Sequence, residues 1–177
     1  MTLPVSPNAL SLQDVNVELN LTATQQIDCN DTKTRYLAGR PSGVISFDNL
    51  HGASNIQNFT ISSNQQELVM STFLSGAGWN GFTRPVVTID SGVYIWSDTL
   101  GTAALRVDGS YPAGITIINN GYIMGRGGNS NSNRDGSPAV TLITNCTIYN
   151  NGYIAGGGGA GMGGGGSGSI CCFYRRE

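Results

Sequence analysis

The chain has 177 residues, of which 39% are hydrophobic and only 11% charged, and its net charge is −2. Charged residues make up about 25% of an ordinary globular protein, so this is not the profile of a Glu/Lys-rich helical enzyme; Asn, Ser, Thr and Gly supply the polarity, and they hold turns. Lys33 is the only lysine, which leaves no basic surface for nucleic acid, and no stretch approaches the ~20 apolar residues of a membrane span.

Three sections are expected: 1–53, 54–110 and 111–177. In the first, Ser11 followed by Asp14 reads as a capping box opening a helix over about 12–20. Asn30 or Asp31 caps a second, "DTKTRYLAG", which ends at Gly39, and Pro41 forbids continuation. Ser46 caps a third turn, "FDNLHG", which stops at Gly52. Helices this short are marginal alone, so the section is expected to dock on something: its own downstream domain, a sister subunit or a larger assembly.

The middle section reads as mixed. "IQNFTISS" alternates like a strand. "NQQELVMSTFLSG" predicts a helix over about 64–75, capped by Ser63 or Asn64 and ended by Gly76. "AGWNGFTRP" is a turn, and "PVVTIDSGVYIWSD" and "AALRVDG" are strands.

The last section repeats itself. "TIINNGYIMGRGG" from Thr116 returns as "TIYNNGYIAGGGG" from Thr147, 31 residues on, with 10 of 13 positions identical. A weaker copy, "TIDSGVYIW", starts at Thr88. Such a period signals stacked units. Asn-Gly between apolar runs suits a type I′ hairpin, or the corner of a β-solenoid, where Asn tolerates the left-handed conformation. Strands this short need neighbours to complete a sheet. The fold expected is mainly β with a small α N-terminal module. Its short-strand repeat, solenoid-like or hairpin-like, ends in a glycine-rich, polyproline-II-like segment.

Candidate chemistry is sparse. The glycine run from Gly152 to Ser169 lacks the lysine and the helix of a phosphate loop. The four cysteines, Cys29, Cys146, Cys171 and Cys172, form no C-x-x-C pair, and His51 is the only histidine; no metal and no cofactor is expected. Asp90, Asp98 and Asp108 lie in the strand region without a specific spacing, so no catalytic residue is named and no enzyme is expected. The four N-x-S/T sequons, at Asn20, Asn30, Asn58 and Asn145, read as chance. The start, "MTLPVSPNALSL", lacks a basic n-region and a long apolar run. A protein made in a cytoplasm, soluble and without a membrane span, is expected.

Aromatics are more informative. Tyr94, Trp96, Tyr111, Tyr122 and Tyr153 fall in or beside strands, and Trp79 falls in a turn. Tyr122 and Tyr153 share a repeat position and are expected to stack, within the repeat or at a subunit interface. Aromatic faces on a β-scaffold can also grip sugar rings. Glycine orders at high entropic cost, so Gly156, Gly158, Gly163 and Gly165 are expected to pack closely, with "ICCFY" (residues 170–174) as a plug. Both features favour a homotrimer. The polar loop Gly125–Pro138 offers Arg126, Asn129, Asn131, Asn133 and Arg134 for recognition, or serves as a spacer.

Ser11–Leu21, Asn30–Ser46 and Gly52–Ser54 resemble a short N-terminal module common in tailed-bacteriophage virion proteins. The chain departs from it at Leu50-His51, where an aromatic pair is usual. "AGWNG", "SGVYIWS" and the Asn-Asn-Gly-Tyr-Ile repeats resemble the glycine-rich body of phage tail proteins. The glycine-rich end is similar to the adhesins that tip T-even-type long tail fibres, whose glycine-rich domains form polyproline-II sandwiches. The resemblance spans about residues 8–168. It implies a virion structural protein, assembled in the host cytoplasm: a tail-fibre or tail-tip component that contacts the host surface. The alternative is a head decoration, head fibre or neck protein without a receptor role. Leu12, Val15, Leu19, Tyr36 and Leu37 are then candidates for virion attachment. The partners implied are copies of itself, other phage structural proteins, and a host glycan or outer-membrane protein.

Overall fold

A computed structural model describes residues 2–129 and 135–160. The chain forms two compact units. Of the described residues, one comprises 2–57, Trp79–Pro85 and Tyr111–Gly114; the other comprises Asn58–Gly78, Val86–Ser110, 115–129 and 135–160.

The first unit holds two short helices, α1 (Leu12–Glu18) and α2 (Thr32–Leu37), and a 3-10 turn over Phe47–Asn49. The capping box opens α1: Ser11 Oγ accepts from Asp14 N at 3.2 Å, and Asp14 Oδ2 accepts from Ser11 N at 2.9 Å. At α2 the cap position is Asp31, but its side chain makes no capping hydrogen bond. The helix ends before Gly39, whose φ of 63° is the left-handed conformation that glycine adopts without strain. Neither helix is long enough to persist in water alone. What holds them is a shared core of Leu3, Val15, Leu19, Leu37, Ala38 and Leu50, each larger side chain stabilising by about 2 kcal/mol. Two polar anchors add to it. Glu18, buried, accepts from Asn55 N at 2.6 Å, and Asn16 Nδ2 donates to the carbonyls of Ala23 and Gln25.

A parallel β-solenoid of roughly three turns makes up most of the second unit. Its strands are β1 (Ile56–Ile61), β2 (Gln65–Gln66), β3 (Leu68–Val69), β4 (Arg84–Ile89), β5 (Tyr94–Trp96), β6 (Leu105–Val107), β7 (Thr116–Asn119), β8 (Tyr122–Met124), β9 (Val140–Leu142), β10 (Thr147–Asn150) and β11 (Tyr153–Ala155). They sort into three sheets by their phase in the turn: β1-β4-β7-β10, β2-β5-β8-β11 and β3-β6-β9. Each turn therefore lays one strand on each side, and a fourth turn begins with β10 and β11. Helix α3 (Met70–Gly76) follows β3, with Met70 and Leu74 fully buried.

The register explains the core. Val87, Ile117 and Ile148 share one row, Ile95, Ile123 and Ile154 a second, and Leu68, Leu105 and Val140 a third. Alternation sends these residues inward and their neighbours outward, since side chains in a strand have a period of two. Burial falls off toward the last turn: Val107 is fully buried, whereas its partner Leu142 is 53% exposed.

Three expectations change here. The hairpin option falls, because the repeats pair in parallel across a full turn rather than folding back. Neither Asn120 nor Gly121 takes a positive φ. The glycine serves another purpose: a Cβ on Gly121 would lie 2.4 Å from the Val93 carbonyl oxygen, and one on Gly152 would lie 2.1 Å from that of Gly121. Glycine here permits backbones of successive turns to approach.

The helix expected over 64–75 is cut short. Residues 65–66 and 68–69 pair instead with β5 and β6, and Glu67 between them has φ 52°. Only Met70–Gly76 is helical. The copy at Thr88 matches its second strand correctly, with Tyr94 opposite Tyr122. Its first strand is displaced by two: Val86, not Thr88, lies opposite Thr116. The corner between β4 and β5 has two more residues than the later corners. A slip of two preserves which side chains face inward, which hid it in the sequence.

Candidate functional site

The outer face of the second sheet carries the tyrosines. Tyr94 and Tyr122 stack at 4.6 Å between ring centres and 8° between planes, and Tyr122 and Tyr153 at 5.1 Å and 3°. Parallel in-register pairing places them one above another. The stacking decides what the ladder can bind. Tyr122 has both faces covered by its neighbours, so its ring presents edges, not faces, to a ligand. The ladder extends to Asn64, whose Oδ1 accepts from Tyr94 N at 2.9 Å.

Beside it runs a row of asparagines. Asn119, fully buried, accepts from Gly121 N through Oδ1 at 3.2 Å and donates through Nδ2 to Asn150 Oδ1 and to the Tyr153 carbonyl. Asn151 Nδ2 donates to Asn120 Oδ1 at 3.0 Å on the surface.

Gly156 and Gly158 lie against their own chain. Gly125 N donates to the Ala155 carbonyl, Ser137 N to that of Arg126, Gly157 N to that of Ser137, and Gly128 N to that of Gly158. A Cβ on Gly136 or Gly157 would fall within 2 Å of a backbone oxygen of the adjoining segment. Three backbone segments thus meet with no side chain between them. Gly163, Gly165 and the "ICCFY" segment lie outside the described residues, as do Asn131, Asn133 and Arg134.

Of the remaining loop candidates, Asn129 is exposed. Arg126 is held by Asp98: Nη1 lies 3.8 Å from its carboxylate and donates to its carbonyl. Asp108 likewise sits 3.3 Å from Arg106 Nε and accepts from Ser71 N. These two carboxylates are thus engaged by arginines. His51 Nδ1 lies 3.0 Å from the Pro4 carbonyl.

The attachment candidates divide. Val15, Leu19 and Leu37 form the first unit's own core, and Tyr36 stacks on Phe82 at 4.2 Å. Leu12 is exposed, in company with Val5, Val17, Val44 and Phe47 of the same unit.

Sequence reasoning missed a cleft of about 400 Å³ on the third sheet of the solenoid. It is lined by Glu67, Val69, Gly101, Thr102, Ala103, Arg106, Thr141 and Ile143. Val69, Arg106 and Thr141 are neighbours in register on β3, β6 and β9. Glu67 is pinned from the next turn: its Oε1 accepts from Thr99 N at 2.8 Å, Asp98 N at 3.2 Å and Ser97 Oγ at 3.3 Å. Hydrogen bonding, led by the Thr99 side chain, holds this carboxyl below its ordinary pKa. No local motif marks the cleft, because its residues come from three turns. The one hint was the helix signal that failed at Glu67.

The family model for phage tail fibre adhesin Gp38 matches residues 57–172. The chain belongs to that family. The matched span takes in the described solenoid from the second residue of β1 onward, and the two helices α1 and α2 precede it. No curated protein and no solved structure matches the chain. Membership makes this adhesin a phage tail-fibre protein and a virion component with a part in host recognition. Among the described residues no helix of this adhesin is long and apolar enough to cross a membrane.

Proposed function

We propose that the chain is a tail-fibre or tail-tip component whose solenoid presents the surface that recognises the host, and whose N-terminal section, residues 1–53, attaches it to the particle. The family match over residues 57–172 carries this reading. Stacked parallel turns support it physically: they build a rigid scaffold whose outward side chains are free of packing duties. Attachment draws support from the exposed apolar side chains of the first unit, Leu12, Val17, Val44 and Phe47, since apolar groups left in water favour a partner's surface. The receptor is a host-surface glycan or outer-membrane protein. Assembly as a homotrimer is part of the proposal, supported by the exposed apolar side chains Leu142 and Tyr149.

The test uses the soluble full chain. It is expected to bind host cells and to compete with the phage for adsorption. If it does neither at saturating concentration, the receptor role is wrong. Light scattering that gives the mass of one chain would remove the trimer and leave the rest.

A further inference from the structure

We infer that the cleft on the third sheet is a binding site for a neutral pyranose, one residue of a host-surface glycan. The inference rests on the host-recognition reading above and names the ligand chemistry and its place.

Four observations carry it. The first is size. About 400 Å³ lies in the range of small-ligand sites, about 300–1,000 Å³. A second hollow, near Glu18, Asn55 and Arg84, measures about 190 Å³ and falls short of it. The second is the lining. Val69, Ala103 and Ile143 are apolar, while Glu67, Arg106, Thr102 and Thr141 are polar. A pyranose is amphipathic in the same sense, with C–H groups on its faces and hydroxyls around its edge.

The third observation is hydrogen-bonding type. Glu67 is an ionised acceptor, Arg106 a donor, and the two threonines are both. Each sugar hydroxyl both donates and accepts, so a mixed set satisfies it where a set of one kind does not. The fourth is charge. Glu67 and Arg106 bring one charge of each sign to the lining, and Asp108 pairs with Arg106 at 3.3 Å. The lining thus carries one carboxylate and one guanidinium, and the guanidinium's charge is already offset by Asp108, so no net positive charge draws an anion, which favours a neutral ligand. The groups are also well placed for a ring. Val69, Arg106 and Thr141 stand on adjacent parallel strands, each about 4.8 Å from the next, so a pyranose lies across two neighbouring strands. Glu67, with φ 52°, is a backbone outlier at a cleft, where strained residues cluster when they serve a site.

The tyrosine ladder is the obvious rival for a sugar, and its geometry argues against it. Sugars stack on open ring faces, and the face-to-face packing of Tyr94, Tyr122 and Tyr153 covers most of those.

The experiment uses the purified full chain and three probes, methyl α-D-glucopyranoside, methyl α-D-mannopyranoside and methyl β-D-galactopyranoside. A methyl glucuronide serves as the anionic comparison. Methyl resonances of Val69, Thr102, Ala103, Thr141 and Ile143 are followed by NMR, with Val5 and Val44 of the first unit as controls. At least one neutral glycoside is expected to shift the cleft methyls saturably at millimolar concentration, and the glucuronide more weakly. Thr141→Trp, a bulky residue that strands accommodate, should fill the cleft and abolish the shifts. Arg106→Gln removes a half-exposed charged head, together with its ion pair to Asp108, and should weaken binding about tenfold; it decides the matter if the tryptophan variant does not fold. The site is disproved if no glycoside moves those methyls at tens of millimolar, if shifts fall elsewhere, or if Arg106→Gln responds as the parent does. The two readings fail separately. A chain that binds host cells equally well with and without Arg106→Gln loses the site and keeps the function. A chain that takes glycosides in the cleft but never binds cells loses the function and keeps the site.

Discussion

Asn119 Nδ2 donates to Asn150 Oδ1 at 2.7 Å, joining two residues 31 apart in the chain that occupy the same place in successive turns. Asn119 is fully buried and also serves Gly121 N and the Tyr153 carbonyl. Replacing it with Ala leaves buried polar groups unmatched, at roughly 1–3 kcal/mol for each. Asn119→Ala is expected to lower stability by about 3 kcal/mol, seen as a shift of the urea midpoint. Asn151→Ala, which breaks only the surface bond to Asn120, is expected to cost less than about 1 kcal/mol. Equal costs would show that burial of the ladder is not what matters.

Gly152 and Gly114 separate two uses of glycine. A Cβ on Gly152 would meet the Gly121 carbonyl oxygen at 2.1 Å, whereas one on Gly114 meets nothing within 4 Å and is disfavoured only by its φ of +77°. Gly114→Ala is therefore expected to cost about 1–2 kcal/mol. Gly152→Ala must push two turns apart and is expected to cost clearly more, or to abolish cooperative thermal unfolding. Calorimetry on the two variants compares them directly.

Tyr122 sits between two rings and gives a third expectation. Aromatic pairs contribute about 0.5–1.5 kcal/mol beyond the area they bury, so Tyr122→Leu should destabilise by about 2 kcal/mol. Tyr122→Phe keeps the stack and should remain close to the parent in melting temperature. If both variants melt alike, the stacking geometry contributes nothing beyond apolar bulk.

Acid should loosen the first unit. Ser11 holds the Asp14 carboxyl below its ordinary pKa through its side chain and its backbone N–H. A carboxyl with a lowered folded pKa contributes stability above its unfolded value, about 3.9, and that contribution is lost as the pH falls through the folded value. Helical circular dichroism should therefore weaken below about pH 4, and Asp14→Asn should reduce the pH dependence in that window. An unchanged acid profile in Asp14→Asn would show that the box does not govern it. Glu67 shifts in the same direction, so the solenoid shares this window.

Local signals were the ones the sequence displayed well. Ser11 and Asp14 are three residues apart, and their capping box forms as the spacing predicts. The 31-residue copy at Thr116 and Thr147 is local to each unit, and its strands and tyrosine stack follow from it. Pairing between distant turns was illegible. Gln65 and Gln66 have no strand character of their own; they are strand because Ile95 and Trp96 lie beside them. The apolar spacing from Leu68 to Leu74 suits a helix about as well as a strand followed by one. Asn-Asn-Gly marks a corner in both a hairpin and a solenoid, so only the stacking could choose between them. The cleft was hidden for the same reason. Glu67, Arg106 and Thr141 are separated by more than thirty residues at each step, and nothing local connects them.

A coil whose every layer touches only the one above and the one below can gain or lose a layer without renegotiating the others. Thr116 and Thr147 open near-identical segments one full turn apart. A tandem duplication or deletion of that 31-residue length in the gene adds or removes one layer and keeps each inward row in phase. The chain's length is therefore a variable that recombination between its own repeats can adjust, while the ends stay as they are.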